Sequence, residues 1–393
     1  MKFIINRQKL ISGLQDVMKA ISSRTVVPIL TGVKLEAAKQ GITLTGSDSD
    51  ITIKYFIPAV EESVDKKTDE ADEEMDNKKI NAEIIQEGSI VLHAKYFPDI
   101  IRKLPEETVE IEMDPQLKVA IRSGKALFHL NGQDPDEYPL LPELQTEDSF
   151  ELSTNTLKAL IKQTVFAVAT MESRPILTGV QIKLLDNKLT FSATDSHRLA
   201  MQEIPVDDAQ TEITSLVIPG KSLNELNKIL TDNDEKIEIS VTNNQILFRT
   251  ENLYFLSRLL DGKYPETSRL IPEESKTALQ IKTKELLHTI DRASLLAKDD
   301  HNNVVRLTTN DNNSAEISSN SPEVGTVTEE IGIQSMEGED LKISFSSKYM
   351  MDALKAIDFD EVKIEFTGAM RPFIIRPVNG AEILQLILPI RTY

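Results

Sequence analysis

The chain has 393 residues with no cysteine and no tryptophan, and 63 acidic against 44 basic residues give it a formal charge of −19. Without thiols there is no disulfide framework and no thiolate-held metal, and no apolar run reaches the roughly 18 residues of a membrane helix, so a cytoplasmic protein is expected. The acidity counts against nucleic acid as a partner unless the charge is unevenly placed. In chain order, the pattern predicts a strand over 2–5, a helix over 8–21 with Leu10, Leu14, Val17, Met18 and Ile21 on one face, and strands over 31–35, 41–45 and 50–56. Residues 61–79 carry nine acids and four bases with almost nothing apolar, and read as an exposed insertion. A strand over 89–93, a helix over 94–104 and strands over 109–113, 117–123 and 126–131 follow. Further helices are predicted over 154–169, 220–230, 283–298 and 346–357, each second helix trailed by three strands. Residues 311–321 read as a polar loop or frayed hairpin.

These elements repeat. Pro28 to Val33 (Pro-Ile-Leu-Thr-Gly-Val) returns as Pro175 to Val180, 147 residues on, and Asp48 in Thr-Gly-Ser-Asp-Ser matches Asp195 in Ser-Ala-Thr-Asp-Ser. Lys95 and Tyr138-Pro139 match Lys221 and Tyr264-Pro265 at an offset of only 126, so 21 extra residues sit in the first copy, between about 58 and 88. Lys221 reappears as Lys348, 127 residues further on. One unit of roughly 120 residues used three times is the predicted plan, with domains 1–147, 148–275 and 276–393, each an α+β unit of two helices on an open antiparallel sheet.

The repeat also sorts the charge. The six predicted helices hold 14 Lys or Arg against 6 Asp or Glu, so they are net positive inside an acidic chain. Helix 154–169, with Lys158 and Lys162 and no acid, is the plainest case. Lysines on helix faces also arise simply as solvated positions. No aromatic residues are interleaved with them, which disfavours base stacking. The case for catalysis rests on Asp195, Ser196, His197 and Arg198. Neighbours on an extended segment point to opposite faces, which misplaces Ser196 as a nucleophile for His197. The first copy has Asp50 where the second has His197, no Glu-x-x-His or His-x-x-x-His pair appears, and there is no phosphate-binding glycine motif.

Met1-Lys2-Phe3 with Arg7 and Leu10, Arg24 before Pro28-Ile29-Leu30, Thr194 to Leu199, Asp261 to Pro265, and the closing Leu388-Pro389-Ile390-Arg391 carry a family resemblance over essentially the whole chain. In their order and spacing the sequence resembles a bacterial DNA polymerase III beta subunit, the replication sliding clamp. That resemblance implies a three-fold repeated DNA-clamp fold and a head-to-tail homodimeric ring whose helices line a hole around duplex DNA. It implies sequence-independent phosphate contacts, no catalysis and no cofactor or metal. It also implies a groove for short Gln- and Leu/Phe-containing peptides of the replicative polymerase, clamp loader and repair proteins. Matching positions are Thr194, His197, Arg198, Leu199, Pro265, Arg269, Leu270, Tyr349, Met370, Pro372 and residues Leu386, Ile387, Leu388, Pro389, Ile390 and Arg391. Pro372 and Ile390 stand where some relatives carry Ser and Met, which alters the expected pocket shape. DNA-facing matches are Arg24 and Arg174, to which the helix count adds Lys158 and Lys162. Ring contacts match Phe128 and Leu130 against Leu295 and Leu296. The competing readings are a DNA-independent repeat scaffold that binds partner peptides, and a metal-dependent nuclease centred on Asp195 and His197.

Overall fold

Asn6 closes the opening strand Lys2–Asn6 and starts the first helix, α1 (Arg7–Val17): its side-chain oxygen accepts from the amides of Gln8 at 2.9 Å and Lys9 at 3.1 Å. The computed structural model describes residues 1–22, 25–61, 79–139, 149–171, 173–206, 212–242, 244–297, 303–310 and 313–391. Among them the remaining α-helices are α2 (Phe97–Lys103), α3 (Thr154–Thr164), α4 (Gly220–Ile229), α5 (Thr283–Ala297) and α6 (Ser347–Ala356). Ser153 caps α3 and Ser346 caps α6 in the manner of Asn6. Several helices are shorter than their apolar pattern. α1 and α3 each tighten into a 3-10 turn, Met18–Ala20 and Val165–Ala167, so Met18 and Val165 keep their place on the apolar stripe without belonging to the α-helix. α2 begins at Phe97 and not at residue 94, because Pro98 lacks an amide hydrogen and is tolerated only in a first turn.

Contacts divide the chain into two compact units that cut the second copy. The first comprises 1–151 and 235–258. It holds an antiparallel sheet in the order Ala126–Asn131, Lys118–Ser123, Thr108–Met113, Lys2–Asn6 and Ala82–Gln86. In its second sheet, Leu253–Arg258 of the second copy pairs with Ile51–Pro58 of the first, setting Phe255 opposite Ile53. That eight-stranded sheet runs Ser149–Ser153, Lys236–Val241, Gln245–Arg249, Leu253–Arg258, Ile51–Pro58, Gly41–Ser47, Gly32–Ala38, Gly88–His93. Leu10, Leu14 and Val17 of α1 are buried. Gly13 lets this helix lie close to the sheet, since a Cβ there would stand 2.8 Å from Leu44 and 2.9 Å from Tyr55. Val60–Glu61 pairs with Lys79–Ile80 at the base of the predicted acidic insertion, whose residues 62–78 lie outside those described.

The second unit comprises 152–234 and 259–393. Its nine-stranded sheet runs Ile213–Pro219, Gly179–Leu185, Lys188–Thr194, Arg198–Pro205, Ile383–Ile387, Phe373–Pro377, Glu361–Phe366, Thr277–Lys282, Ser335–Gly338. Leu199 faces Leu386 where the second copy joins the third. A four-stranded sheet, Gly325–Gly332, Ser314–Ser321, Val304–Asn310 and Lys342–Ser346, completes the third copy. Leu286, Ile290 and Ala293 of α5 and Met350 and Leu354 of α6 are buried in one core with Phe345, Phe366 and Phe373, the Phe373 ring lying 5.6 Å from that of Phe345 and 5.2 Å from that of Phe366. Two expectations change. The strands of a copy do not form one open sheet but divide between two, because Ile51–Pro58 and Arg198–Pro205 each pair with a strand of the following copy. Residues 314–321 are not loop but a strand paired on both sides, with Ala315, Ile317 and Ser319 turned inward.

Candidate functional site

In the second unit, the turn between strands Lys188–Thr194 and Arg198–Pro205 is locked by its own side chains. Asp195 Oδ1 accepts from the amides of His197 at 2.9 Å and Arg198 at 3.1 Å, while the Thr194 hydroxyl donates to Arg198 O at 2.6 Å and accepts from the Ser196 amide at 3.1 Å. Ser196 takes a left-handed φ of 78°. The first copy builds the same turn: Asp48 Oδ1 accepts from Asp50 at 3.1 Å and Ile51 at 2.9 Å, and Ser49 has φ 80°. The aspartates that invited a metal or nuclease reading are turn caps, and the described residues contain no cluster of metal-ligating side chains. Tyr264 seals the turn from beneath. Its hydroxyl accepts from the Thr194 amide at 3.0 Å and donates to Gly179 O at 3.4 Å, and burial pushes its pKa up to about 12.

Arg198 is buried and fully engaged. Its Nε reaches Asp195 at 3.0 Å, its Nη1 reaches Asp352 of α6 at 2.7 Å, and its Nη2 donates to Phe166 O at 2.6 Å. The guanidinium lies over the rings of Tyr349 at 4.6 Å and Phe166 at 5.3 Å. Tyr349 is stacked against His197 with centroids 6.4 Å apart, and burial raises the Tyr349 phenol pKa. His197 and Tyr349 form the wall between two adjoining cavities. One, of about 380 Å³, is lined by His197, Asn303, Ser346, Lys348, Tyr349 and the chain end Leu388, Pro389 and Ile390. The other, of about 460 Å³, is lined by Asp195 to Arg198, Tyr349, Lys348, Arg174, Leu177, Met171 and neighbouring residues. The chain end is held there by its backbone, Leu388 donating to His197 O at 3.0 Å and Ile390 to Ser344 O at 2.8 Å.

Apart from Thr194, a buried turn residue that lines neither cavity, the expected peptide residues fall into three groups. His197, Tyr349, Leu388, Pro389 and Ile390 are brought together at the cavities, with Arg198 as their buried support. Leu199 and Leu386 are core residues, packed with Ile374 and Leu384, and Ile387 belongs to the main core of the third copy, so these three shape the sheet and do not line the cavities. Pro265, Arg269, Leu270, Met370, Pro372 and Arg391 line neither cavity; Met370 is 53% exposed, and the Pro372 carbonyl accepts from Thr367 at 3.2 Å. Sequence reasoning missed Met171, Leu177, Asn303 and Lys348 as lining residues. Lys348 had a signal, since it is a landmark of the repeat.

The cations expected to face DNA are less free than their count suggests. Lys158 is engaged by Asp232 and by Leu230 O at 3.0 Å. Lys162 stays 57% exposed with only a 3.8 Å approach to Asp358. Arg174 lines the larger cavity, and Arg24 lies outside the described residues. Of the expected ring contacts, Phe128 (40% exposed) and the half-buried Leu130 sit on Ala126–Asn131, the unpaired edge of the five-stranded sheet in the first unit. In the second unit Leu295 of α5 is 61% exposed beside a half-buried Leu296. The strand Gly325–Gly332, tied to α5 by Arg292 and Glu329, is likewise an unpaired edge.

A chain of repeated helix-and-sheet units whose sheets run on from copy to copy, Ile51–Pro58 pairing with Leu253–Arg258 and Arg198–Pro205 with Ile383–Ile387, defines the class of DNA-clamp proteins. The chain belongs to the DNA polymerase III beta subunit family: the family's N-terminal domain matches residues 1–142, its central domain 151–266 and its C-terminal domain 268–391. It is 52% identical over 393 residues to the beta sliding clamp of Bacillus subtilis (strain 168), covering all of both chains. The crystal structure of the DNA polymerase sliding clamp from Bacillus subtilis matches with a TM-score of 0.93 at 52% identity, and that of the beta subunit from Streptococcus pyogenes with 0.92 at 38%, both with complete coverage.

Proposed function

We propose that two copies of this chain join head to tail around duplex DNA and tether the replicative polymerase, the clamp loader and repair proteins through short peptides. As a sliding clamp the chain is a non-catalytic processivity factor of DNA polymerase. Domains 1–147, 148–275 and 276–393 are the three clamp units, working in the cytoplasm where the chromosome is replicated. Two of the edge strands, Ala126–Asn131 and Gly325–Gly332, support the head-to-tail arrangement. The first carries the exposed Phe128, and the second is tied through Glu329 and Arg292 to helix α5, which exposes Leu295; a heterologous contact needs two such different patches on one chain. Lys162 and Arg24 are the cations we assign to the duplex, through phosphates and without base contacts.

The observation that carries the peptide reading is the pair of cavities divided by His197 and Tyr349 and closed by Leu388 to Ile390. Their size suits one or two side chains each, with apolar walls for anchoring and a few polar groups for orientation. Removing residues 388–393 takes Leu388, Pro389 and Ile390 from the smaller cavity while leaving strand Ile383–Ile387 in its sheet. The truncated protein is expected to remain dimeric and to bind a Gln-x-x-Leu-Phe peptide at least about tenfold more weakly. Equal affinity by fluorescence anisotropy would place the peptide elsewhere.

A further inference from the structure

The two strand joins inside the chain are built alike. Leu388 donates its amide to His197 O at 3.0 Å and Arg258 to Asp50 O at 2.8 Å; two residues on, Ile390 donates to Ser344 O at 2.8 Å and Leu260 to Val217 O at 2.9 Å. The register repeats too, Arg198 lying opposite Ile387 and Leu199 opposite Leu386, as Ile51 lies opposite Ser257 and Thr52 opposite Leu256. The first copy carries one half of a third such join. Gln133 donates to Val91 O at 2.9 Å as Ile390 and Leu260 do to their acceptors, which makes Asn131 the counterpart of Leu388 and Arg258. Because the next amide, that of Gly132, donates inward to Leu117 O at 2.8 Å, alternation turns the Asn131 amide to the open side of edge strand Ala126–Asn131. The third copy carries the other half: Gly325 opens its edge strand as Arg198 opens Arg198–Pro205, 127 residues away, the interval from Lys221 to Lys348. Laid together, the halves set Gly325 opposite Leu130, Thr326 opposite His129 and Val327 opposite Phe128.

The side chains around these halves differ from their counterparts in one respect. Lys95 and Tyr96 stand where the third copy has Lys348 and Tyr349. Tyr349 is covered by His197 and by the Arg198 guanidinium. Tyr96 has His93 edge-on at 5.8 Å and the Lys95 ammonium over its ring at 5.3 Å, yet is 51% exposed; Val324, the counterpart of His197, is 58% exposed. Where Arg198 ties Asp352, the third copy has Gly325, at which a Cβ would meet nothing within 4 Å, and Asp99, the counterpart of Asp352, is paired with Arg102 of its own helix at 3.3 Å. We propose that Tyr96 of one copy closes on Val324 of another above Gly325, in the strand register just given. The assignment rests on the head-to-tail reading above and adds to it a register and an anchor that lies outside the contacts already named. It makes the joint between subunits apolar at the place where a buried guanidinium ties the second copy to the third, so that this joint parts without stranding a buried charge.

The chain has no cysteine, so introduced thiols are the only ones present. In the full-length protein, His129→Cys with Thr326→Cys places two residues directly opposite, with Cα atoms about 5.5 Å apart and inside the range a disulfide spans, and mild oxidation is expected to give a covalent dimer. His129→Cys with Thr328→Cys is displaced by two residues, to roughly 7–8 Å, and is expected to cross-link at least about fivefold more slowly. Independently, Tyr96→Ser should weaken the dimer at least about tenfold by sedimentation, Tyr96→Phe should leave it unchanged, and Val324→Ser should cost less in the Tyr96→Ser background than alone. Equal cross-linking of the two pairs, faster closure of the displaced pair, no closure of either, or a Tyr96→Ser dimer as tight as the parent overturns the proposal while leaving the head-to-tail dimer in place. An unaltered protein that sediments as a monomer removes the head-to-tail reading and this proposal with it.

Discussion

Replacing Arg198 by Ala should loosen the groove and the unit that carries it in measurable proportion. The substitution removes contacts to Asp195 at 3.0 Å and Asp352 at 2.7 Å, a hydrogen bond to Phe166 O at 2.6 Å, and the cation from beneath Tyr349. Deleting one member of a buried ion pair typically costs roughly 3–5 kcal/mol, most of it the penalty of stranding the partner charge. Here the stranded carboxylates are cushioned. Asp195 keeps two amide donors, and the Asp352 side chain is 29% exposed. The lower end, about 3 kcal/mol, is therefore expected. For a unit of this size that is a fall in Tm on the order of 6–12 °C. Arg198→Lys keeps the charge but cannot span two carboxylates and a carbonyl at once, so about half the loss should remain. Calorimetry of the two variants, read alongside peptide anisotropy, separates stability from binding. If Arg198→Ala unfolds within about 0.5 kcal/mol of the parent, the guanidinium is not the tie described here.

Leu295→Glu should convert dimer to monomer with little effect on subunit folding, because Leu295 is mostly exposed; Leu296→Ala should cost stability as well, being half-buried. Sedimentation that finds an intact Leu295→Glu dimer would refute the assignment of that helix face. Lys162→Glu should weaken retention on circular duplex and change its salt dependence, whereas Lys158→Ala should act mainly on stability through the lost Asp232 contact. Equal loss of retention in both would contradict the geometry. At high pH, Tyr264 ionises near 10 in the unfolded chain but only near 12 when folded, because burial disfavours the phenolate. The stability it contributes is whole below about pH 10 and is lost as pH climbs toward 12, at roughly 1.4 kcal/mol per unit. Tyr264→Phe should flatten that part of the urea-midpoint profile, and an unaltered profile would count against the buried hydroxyl.

The triplication is legible because its landmarks are short, identical strings at constant offset, and the helices because their apolar faces keep a steady period. Helix ends are less so. The apolar stripe of α1 continues through Met18 and that of α3 through Val165 after the backbone has tightened, and periodicity cannot distinguish an α turn from a 3-10 turn. Strand Ser314–Ser321 escapes notice because Ala315, Ser319 and Ser321 fill inward positions with small side chains, leaving Ile317 as the only large apolar signal. At the groove, the turn residues are readable as a string, but the burial of Arg198 depends on Asp352, 154 residues away. The engagement of Lys158 depends in the same way on Asp232, 74 residues away. A charge count over helices sees neither, since pairing at that separation is settled by the tertiary fold.

The strand pairings between copies bear on how the chain is made. Residues 1–151 cannot complete their second sheet until Leu253–Arg258 has left the ribosome, and strand Arg198–Pro205 waits for Ile383–Ile387. A nascent chain stopped at the end of its first repeat therefore presents Ile51–Pro58 as a bare template for any passing strand. The protein is threefold in sequence, but its vectorial synthesis proceeds in two overlapping instalments, and a stalled or truncated product is an aggregation hazard rather than a smaller clamp.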